Sequence, residues 1–209
     1  MTTSIILAGG KSSRLGRNKA FKTINDKNLV QHMVDRLSPL SKEIIIVTAQ
    51  NEDFSYLSSP SILKTVADIY PNKGPLCGIY SGLAISSCPR ATIVGCDMPF
   101  INVALLNYMN QLSPAFDVVV PHIGENIEPL CAIYSKNCLV PIHELLEHNE
   151  LMISKLFSIV KVRYIEEHEI NRFDPEHLSF FNINTRADLN KARKIATEKR
   201  SPTQQLQAN

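Results

Sequence analysis

Residues that could do chemistry fall in four separated stretches. In the first, residues 4–8 form an apolar run of β-branched and leucine side chains, and Gly9 and Gly10 then remove every side chain where the backbone turns. KSSRLGRNK, residues 11–19, follows with four cations and two hydroxyls within nine residues. Exposed amides and clustered cations directly after a strand can close around a polyphosphate. The spacing excludes two common cradles. Gly10 and Gly16 are separated by five residues and Lys19 lies three places further on, whereas a Walker A loop needs four and an immediate lysine, and a dinucleotide loop needs G-x-G-x-x-G.

The second and third stretches each place an aspartate after an apolar run, Asp68 after 62–66 and Asp97 in GCDMPF. Two carboxylates at strand ends facing a polyphosphate loop suit one hard divalent cation that completes its shell with phosphate oxygens and water. An acid after a fully apolar strand is costly unless something cationic compensates it, although Asp97 could instead cap a helix beginning near Asn102. The fourth stretch is FNINT. If it is a strand, Asn182 and Asn184 share one face while Ile183 points to the core. Paired amides can serve ligand oxygens and ring nitrogens, or they can end a strand and cap the next helix.

With these motifs in view, the chain resembles the molybdenum cofactor guanylyltransferases, within the nucleotidyltransferase-like enzymes that transfer NMP groups onto phosphorylated acceptors. LAGGKSSRLGRNK, CDMPF and NINT carry the resemblance, which runs from Ser4 to about Ala192. Leu15 stands where methionine is common and Asn18 where an aspartate often precedes the lysine, and neither change removes a phosphate-contacting group. The resemblance implies Mg2+ on Asp97, and Lys19, Arg14 and Lys11 on the β- and γ-phosphates, with Lys19, Arg14 and Asp97 as the catalytic set. It implies a nucleotide side lined by Leu7, Ala8, Gly9, Gly10, Lys11, Lys19, Thr48, Asp68, Gly74, Pro75, Gly78 and Asp97, and an acceptor side that includes Asn182 and Asn184. Glu128 and Pro129 match a family segment near the acceptor.

The reaction implied is GMP transfer from GTP to the terminal phosphate of a molybdopterin-type cofactor, with release of pyrophosphate. A phosphate monoester dianion needs little deprotonation, so positioning and electrostatics suffice and no general base is required. Other molybdenum-cofactor biosynthesis proteins and acceptor apo-oxidoreductases are the implied partners. A cytidylyl or sugar-phosphate nucleotidyltransferase, and a nucleotide or cofactor binder without transfer, stay open on the residues alone.

The elements that must position these groups alternate. NLVQHMVDRLSPL has helical spacing with Pro39 to stop it, and His32 and Asp35 fall on its flanks. EIIIVTAQ is a strand buried on both faces, with Thr48 at the carboxyl end where ligands bind in parallel sheets. Residues 52–60 read as a short helix or turn, and a strand over 62–66 ends at Asp68. A helix then starts at about Pro75 or Leu76, and its small residues Gly78, Ser81, Gly82 and Ala84 leave room for close approach, which we assign to a nucleobase. A strand ending at Asp97 and a helix over 102–112 complete the first half.

In the second half we expect a strand at FDVVVP, a hairpin with Glu128 and Pro129 near its bend, helices over 139–146 and 151–157, and a strand at IVKVRYI. FNIN continues as a strand into a helix that Thr185 caps, with Asp188 completing the box. This alternation predicts a three-layer α/β/α fold with a mostly parallel, doubly wound sheet and right-handed crossovers, of the nucleotide-diphospho-sugar-transferase-like, Rossmann-like kind. One domain is expected over 1–200, with a GTP-binding half at about 1–100, an acceptor-binding half at about 101–200 and a disordered tail over 201–209.

A length of 209 residues can bury a full core, and 44% hydrophobic with 20% charged residues excludes a disordered chain. A net charge of +2 is too small for a nucleic-acid face, so the basic loop is local. No run approaches the roughly 18 apolar residues of a membrane span, and no secretory leader precedes the first strand. The five cysteines include no C-x-x-C pair and read as buried thiols in a reducing cytosol. A cytoplasmic monomer is the expectation.

Overall fold

Ile5 and Ile6 are neighbours on the first strand yet point into different cores, because successive side chains on a strand face opposite sides. That division runs through the sheet. A computed structural model describes residues 2–9, 19–48, 52–70 and 73–199; of Lys19 the backbone alone is described. Its strands are β1 (Thr2–Leu7), β2 (Thr23–Ile24), β3 (Lys27–Asn28), β4 (Ser41–Thr48), β5 (Ile62–Ala67), β6 (Arg90–Gly95), β7 (Val118–Ile123), β8 (Asn126–Ile127), β9 (Cys131–Ser135) and β10 (Val162–Glu166). The helices are α1 (Leu29–Leu37), α2 (Pro75–Ile85), α3 (Val103–Leu112), α4 (Leu139–Glu147), α5 (Ile153–Phe157), α6 (Glu167–Ile170) and α7 (Arg186–Glu198).

One sheet runs in the order β10-β7-β9-β6-β1-β4-β5, with β8 beside β7. The β1, β4, β5 and β6 pairings are parallel, as is β10 with β7, while β9 runs antiparallel between β6 and β7. Strands from both halves of the chain therefore share one mostly parallel sheet. Helices α1, α3 and α6 cover the face of Ile6, Ile44 and Ile46, and α2, α4 and α5 cover the face of Ile5, Ile45 and Val47. The result is the expected three-layer arrangement.

Helix α1 buries Leu29, Val30, Met33, Val34 and Leu37, the stripe its periodicity predicts. Asn28 caps it, accepting from the Gln31 amide at 2.7 Å. A two-residue hairpin, β2 and β3, lies just before it and was not apparent in the sequence. Its turn residues Asn25 and Asp26 both have positive φ, 47° and 65°, as the twist of a tight hairpin requires. Helix α7 packs on this hairpin through Leu189 and Ala192, which meet Ile24, Leu29 and Ile183. Thr185 and Asp188 form the expected capping box.

Three expectations need correction. Residues 180–184 are not a strand: the Asn184 amide donates to the nearby Asp188 carboxylate and the Ile183 amide to the distant Asp97 carbonyl, so these partners take the groups a ladder would use. The shared face assigned to Asn182 and Asn184 therefore has no strand to define it, although Ile183 is buried as expected. Second, β6 stops at Gly95, and Asp97 lies in the turn beyond it. Third, the glycines of α2 admit a strand rather than a base. A Cβ on Gly82 would meet Ile5 Cγ2 at 2.6 Å, and one on Gly78 would meet Leu7 Cδ2 at 3.1 Å. At Gly82 the helix settles onto β1 so closely that a larger residue would force the two apart, and at Gly78 the fit is tight. The tail, residues 201–209, lies outside the described residues.

Candidate active site at the carboxyl edge of the sheet

The backbone carries hydrogen bonding past the strand ends and so gathers five segments. Ala8 donates to Val47 at 2.8 Å and Cys96 to Leu7 at 3.1 Å; Asp68 donates to Thr48 at 2.7 Å and Ile183 to Asp97 at 3.0 Å. These bonds bring Leu7, Ala8, Thr48, Asp68, Asp97 and the FNINT segment to one edge of the sheet. Parallel strands end together at this edge, and ligands of open α/β sheets bind there. Gly9, exposed, leads from β1 into residues outside the description. Gly10, Lys11 and Arg14 lie among those, as does the Lys19 side chain.

Asp97 gets its position from its neighbours. A Cβ on Gly95 would meet Asp97 Oδ1 at 2.6 Å, so a larger residue there would displace the carboxylate from the place it holds. The alternative of Asp97 as a helix cap fails. Asn102 caps α3 itself, accepting from the Ala104 and Leu105 amides at 2.9 and 3.1 Å. Asp97 is thus placed by the strand end behind it and by Ile183 at its carbonyl, and it is partly exposed at the edge.

Asp68 is held differently. Its Oδ1 accepts from the Tyr70 amide at 3.2 Å, and the Ser81 hydroxyl lies 2.9 Å away. Burial raises its carboxyl above the ordinary aspartate value, and the Ser81 and Tyr70 hydrogen bonds offset part of that. Ser81 sits on α2 in the layer behind the edge. The same helix begins at this edge with exposed Gly74 (φ 85°) and Pro75, and its N-cap residue, a glycine, supplies no side-chain cap. The amides at a helix start favour negative charge.

On the other flank the β8–β9 turn abuts β6, since the Gly95 amide donates to Leu130 at 3.0 Å. Glu128 is half-buried in this turn, and burial pushes its carboxyl up. The hairpin itself bends at Gly124 and Glu125, before Glu128, and Pro129 and Leu130 make a second turn. Asn182 donates to the Phe180 carbonyl at 3.1 Å, and Asn184 is exposed beside it.

The supporting roles of two residues, Gly95 beneath Asp97 and Ser81 beside Asp68, escaped the sequence reading. Gly95 was legible as the glycine two places before the acid in GCD, where a small residue permits the fold-back. Ser81 gave a fainter signal, a lone hydroxyl in an otherwise apolar helix. The backbone amide of Ile183 gave none.

The sequence profile of the MobA-like NTP transferase domain matches residues 4–164. The chain belongs to this family. The match spans the basic loop, Asp68 and Asp97, and stops short of the FNINT segment. Among curated relatives, a molybdenum cofactor guanylyltransferase of Desulfosudis oleivorans is 36% identical over 91% of this chain and 93% of its own. A probable molybdenum cofactor guanylyltransferase of Pelotomaculum thermopropionicum is 34% identical over 95% of both chains. The crystal structure of molybdopterin-guanine dinucleotide biosynthesis protein A from Archaeoglobus fulgidus superposes with a TM-score of 0.81 at 24% identity, covering 94% of this chain and 99% of that one. This places the MobA-like chain firmly in the nucleotidyltransferase fold.

Proposed function

We propose that the chain transfers GMP from GTP to the terminal phosphate of a molybdopterin-bound molybdenum cofactor, giving the guanine dinucleotide form and pyrophosphate. One observation carries the reading for the site. Asp97 joins the nucleotide edge to the FNINT segment, its strand end bonded to Leu7 and its carbonyl to Ile183, so two substrates can meet at one acid. Curated relatives of nearly the same length carry the guanylyltransferase name.

In this reading the residue roles run from the edge outward. The amides at the start of α2, with Lys11, Arg14 and Lys19 of the loop, hold the triphosphate. Asp68, oriented by Ser81, contacts the nucleoside, and Gly74 and Pro75 line its path with Thr48 behind them. Asn182 and Asn184 orient the acceptor phosphate. An acceptor oxygen forms the new bond to the α-phosphorus as the bond to the bridging oxygen breaks, and the cations stabilise the departing pyrophosphate.

Among the described residues no cluster of three or more His, Cys, Asp or Glu makes a preformed metal cage. The donor at the edge is the hard carboxylate of Asp97; Asp68 follows β5, which the sheet order sets three strands from β6, about 14 Å at the spacing of paired strands, so the two acids do not share one ion as their positions in sequence suggested. A single carboxylate fits magnesium, which takes one or two and fills its shell with phosphate oxygens and water. Bound there, the ion would neutralise phosphate charge and make the α-phosphorus more electrophilic. Transfer to acceptor apo-oxidoreductases, and contact with other proteins of the same biosynthesis, follow from the product.

The test is pyrophosphate release with the molybdopterin acceptor and magnesium, comparing GTP, CTP, ATP and UTP. Release that needs both GTP and acceptor is expected. Preference for CTP would move the chain to the cytidylyltransferases, and nucleotide binding without release would make it a sensor or carrier.

A further inference from the structure

The turn that carries Asp97 has a second side. Behind it, a cleft of about 290 Å3 opens between the β2–β3 hairpin, α1, Pro99 and Phe100, and the last turn of α7. Its walls bring three cations, Lys27, Arg36 and Lys199, together with one carboxylate, Asp35. Asp35 is already engaged by Lys27 and by the Gln31 amide group, each at 2.7 Å. His32 is committed to the Ile24 carbonyl at 2.7 Å. Lys199 reaches Glu176 at 3.7 Å at an exposed surface.

Arg36 is the exception. It is half-buried, its Nη1 donates to the Ile101 carbonyl at 3.2 Å, and among the described residues no carboxylate lies within ion-pair distance of it. Burial lowers its pKa. A desolvated guanidinium is costly unless charge and hydrogen bonds compensate it, and its planar fork of five N–H donors matches a carboxylate or phosphoryl group. The cleft also offers an apolar wall of Ile24, Phe100 and Ala196 beside that fork.

We propose that this cleft is a second binding site, distinct from the carboxyl edge, for a small organic oxyanion whose phosphoryl or carboxylate group pairs with Arg36 and whose apolar body lies against Phe100. Arg36 also holds Ile101, at the end of the turn that begins beyond Gly95. A ligand on Arg36 therefore acts on the segment that sets Asp97. By linkage, whatever factor it imposes on ligand affinity at the carboxyl edge is returned to it.

The test follows the amide resonances of Asn25, Phe100 and Ala196 while the full chain is titrated with phenyl phosphate or with benzoate. Saturable shifts at these residues are expected. Arg36→Gln should weaken binding by about tenfold or more, the scale of one lost charge-assisted contact. Ala196→Trp, which fills the cleft and leaves Arg36 in place, should weaken it comparably and decides the matter if Arg36→Gln does not fold. Lys19→Ala should leave it unchanged, so failure here is distinct from failure of the guanylyltransferase reading. The stronger of the two ligands identifies the headgroup class. Shifts that do not saturate, that survive both cleft variants, or that vanish with Lys19→Ala overturn the proposal.

Discussion

Glu43 and Asp68 are acids on neighbouring strands of one sheet, near opposite ends of it, and their surroundings differ in kind. Glu43, near the start of β4, is sealed from water and receives the Thr3 hydroxyl at 2.8 Å, the Ser87 amide at 2.9 Å and the Lys64 ammonium. Burial alone would raise its pKa, but Lys64, Ser87 and Thr3 outweigh that and hold it at about 2. Asp68, just past β5, has two neutral donors and no cation among the described residues, so burial prevails and its carboxyl is raised. The fold completes the electrostatics of its amino edge. At the carboxyl edge it leaves an acid that no described cation balances, and a carboxyl raised in this way marks a candidate functional site.

The sharpest way to break this contrast is Asp97→Ala. Turnover in pyrophosphate release should fall by about 10²–10³, the scale of one lost charge-stabilising contact, with the urea midpoint unchanged. Wild-type turnover at saturating magnesium would sink the site assignment. Glu43→Gln should do the reverse, costing about 1–3 kcal/mol of stability by leaving buried donors poorly met while kcat holds.

The pH dependence of unfolding tests the same residue. Glu43 binds a proton near 4.5 when unfolded and at about 2 when folded, so the unfolded state holds more protons between these values. Its stabilisation is complete above 4.5 and is lost as pH falls toward 2. Glu43→Gln should lose that part of the slope in urea titrations at successive pH values, and an unchanged slope would contradict the assignment.

Smaller effects sharpen the carboxyl edge. Gly95→Ala puts a Cβ 2.6 Å from Asp97 Oδ1 and should lower kcat about tenfold, or about 1.4 kcal/mol of barrier, with circular dichroism showing an intact fold. Ser81→Ala removes a donor that lowers the Asp68 pKa. The carboxyl should then rise further, and the acid limb of GTP affinity should move to higher pH. Stability should fall by about 1 kcal/mol. An acid limb that stays in place would separate Asp68 from nucleotide binding.

Most of the layer order was legible because the signals were local. The α1 stripe, the doubly buried β4 and the Thr185 capping box each depend on residues a few places apart. The errors came where a distant partner decided the outcome. FNIN alternates like a strand, but Ile183 bonds to the backbone of Asp97 rather than to a neighbouring strand. Gly78 and Gly82 were read as room for a ligand when they are room for β1. The β2–β3 hairpin is two residues deep on each side, too short for any periodicity to show.

By itself the sequence determined the chemical inventory of this chain: a glycine-rich basic stretch, acids after apolar runs, and helices and strands in alternation. Apolar spacing and cap residues act over one turn or one strand, so they can be read without coordinates. Tertiary structure alone decided which acid is balanced and which is not, since Lys64, Ser87 and Thr3 reach Glu43 from three other places in the chain. It also decided that Asp97 folds over Gly95 with Ile183 at its carbonyl. Those relations depend on through-space packing between segments far apart in sequence.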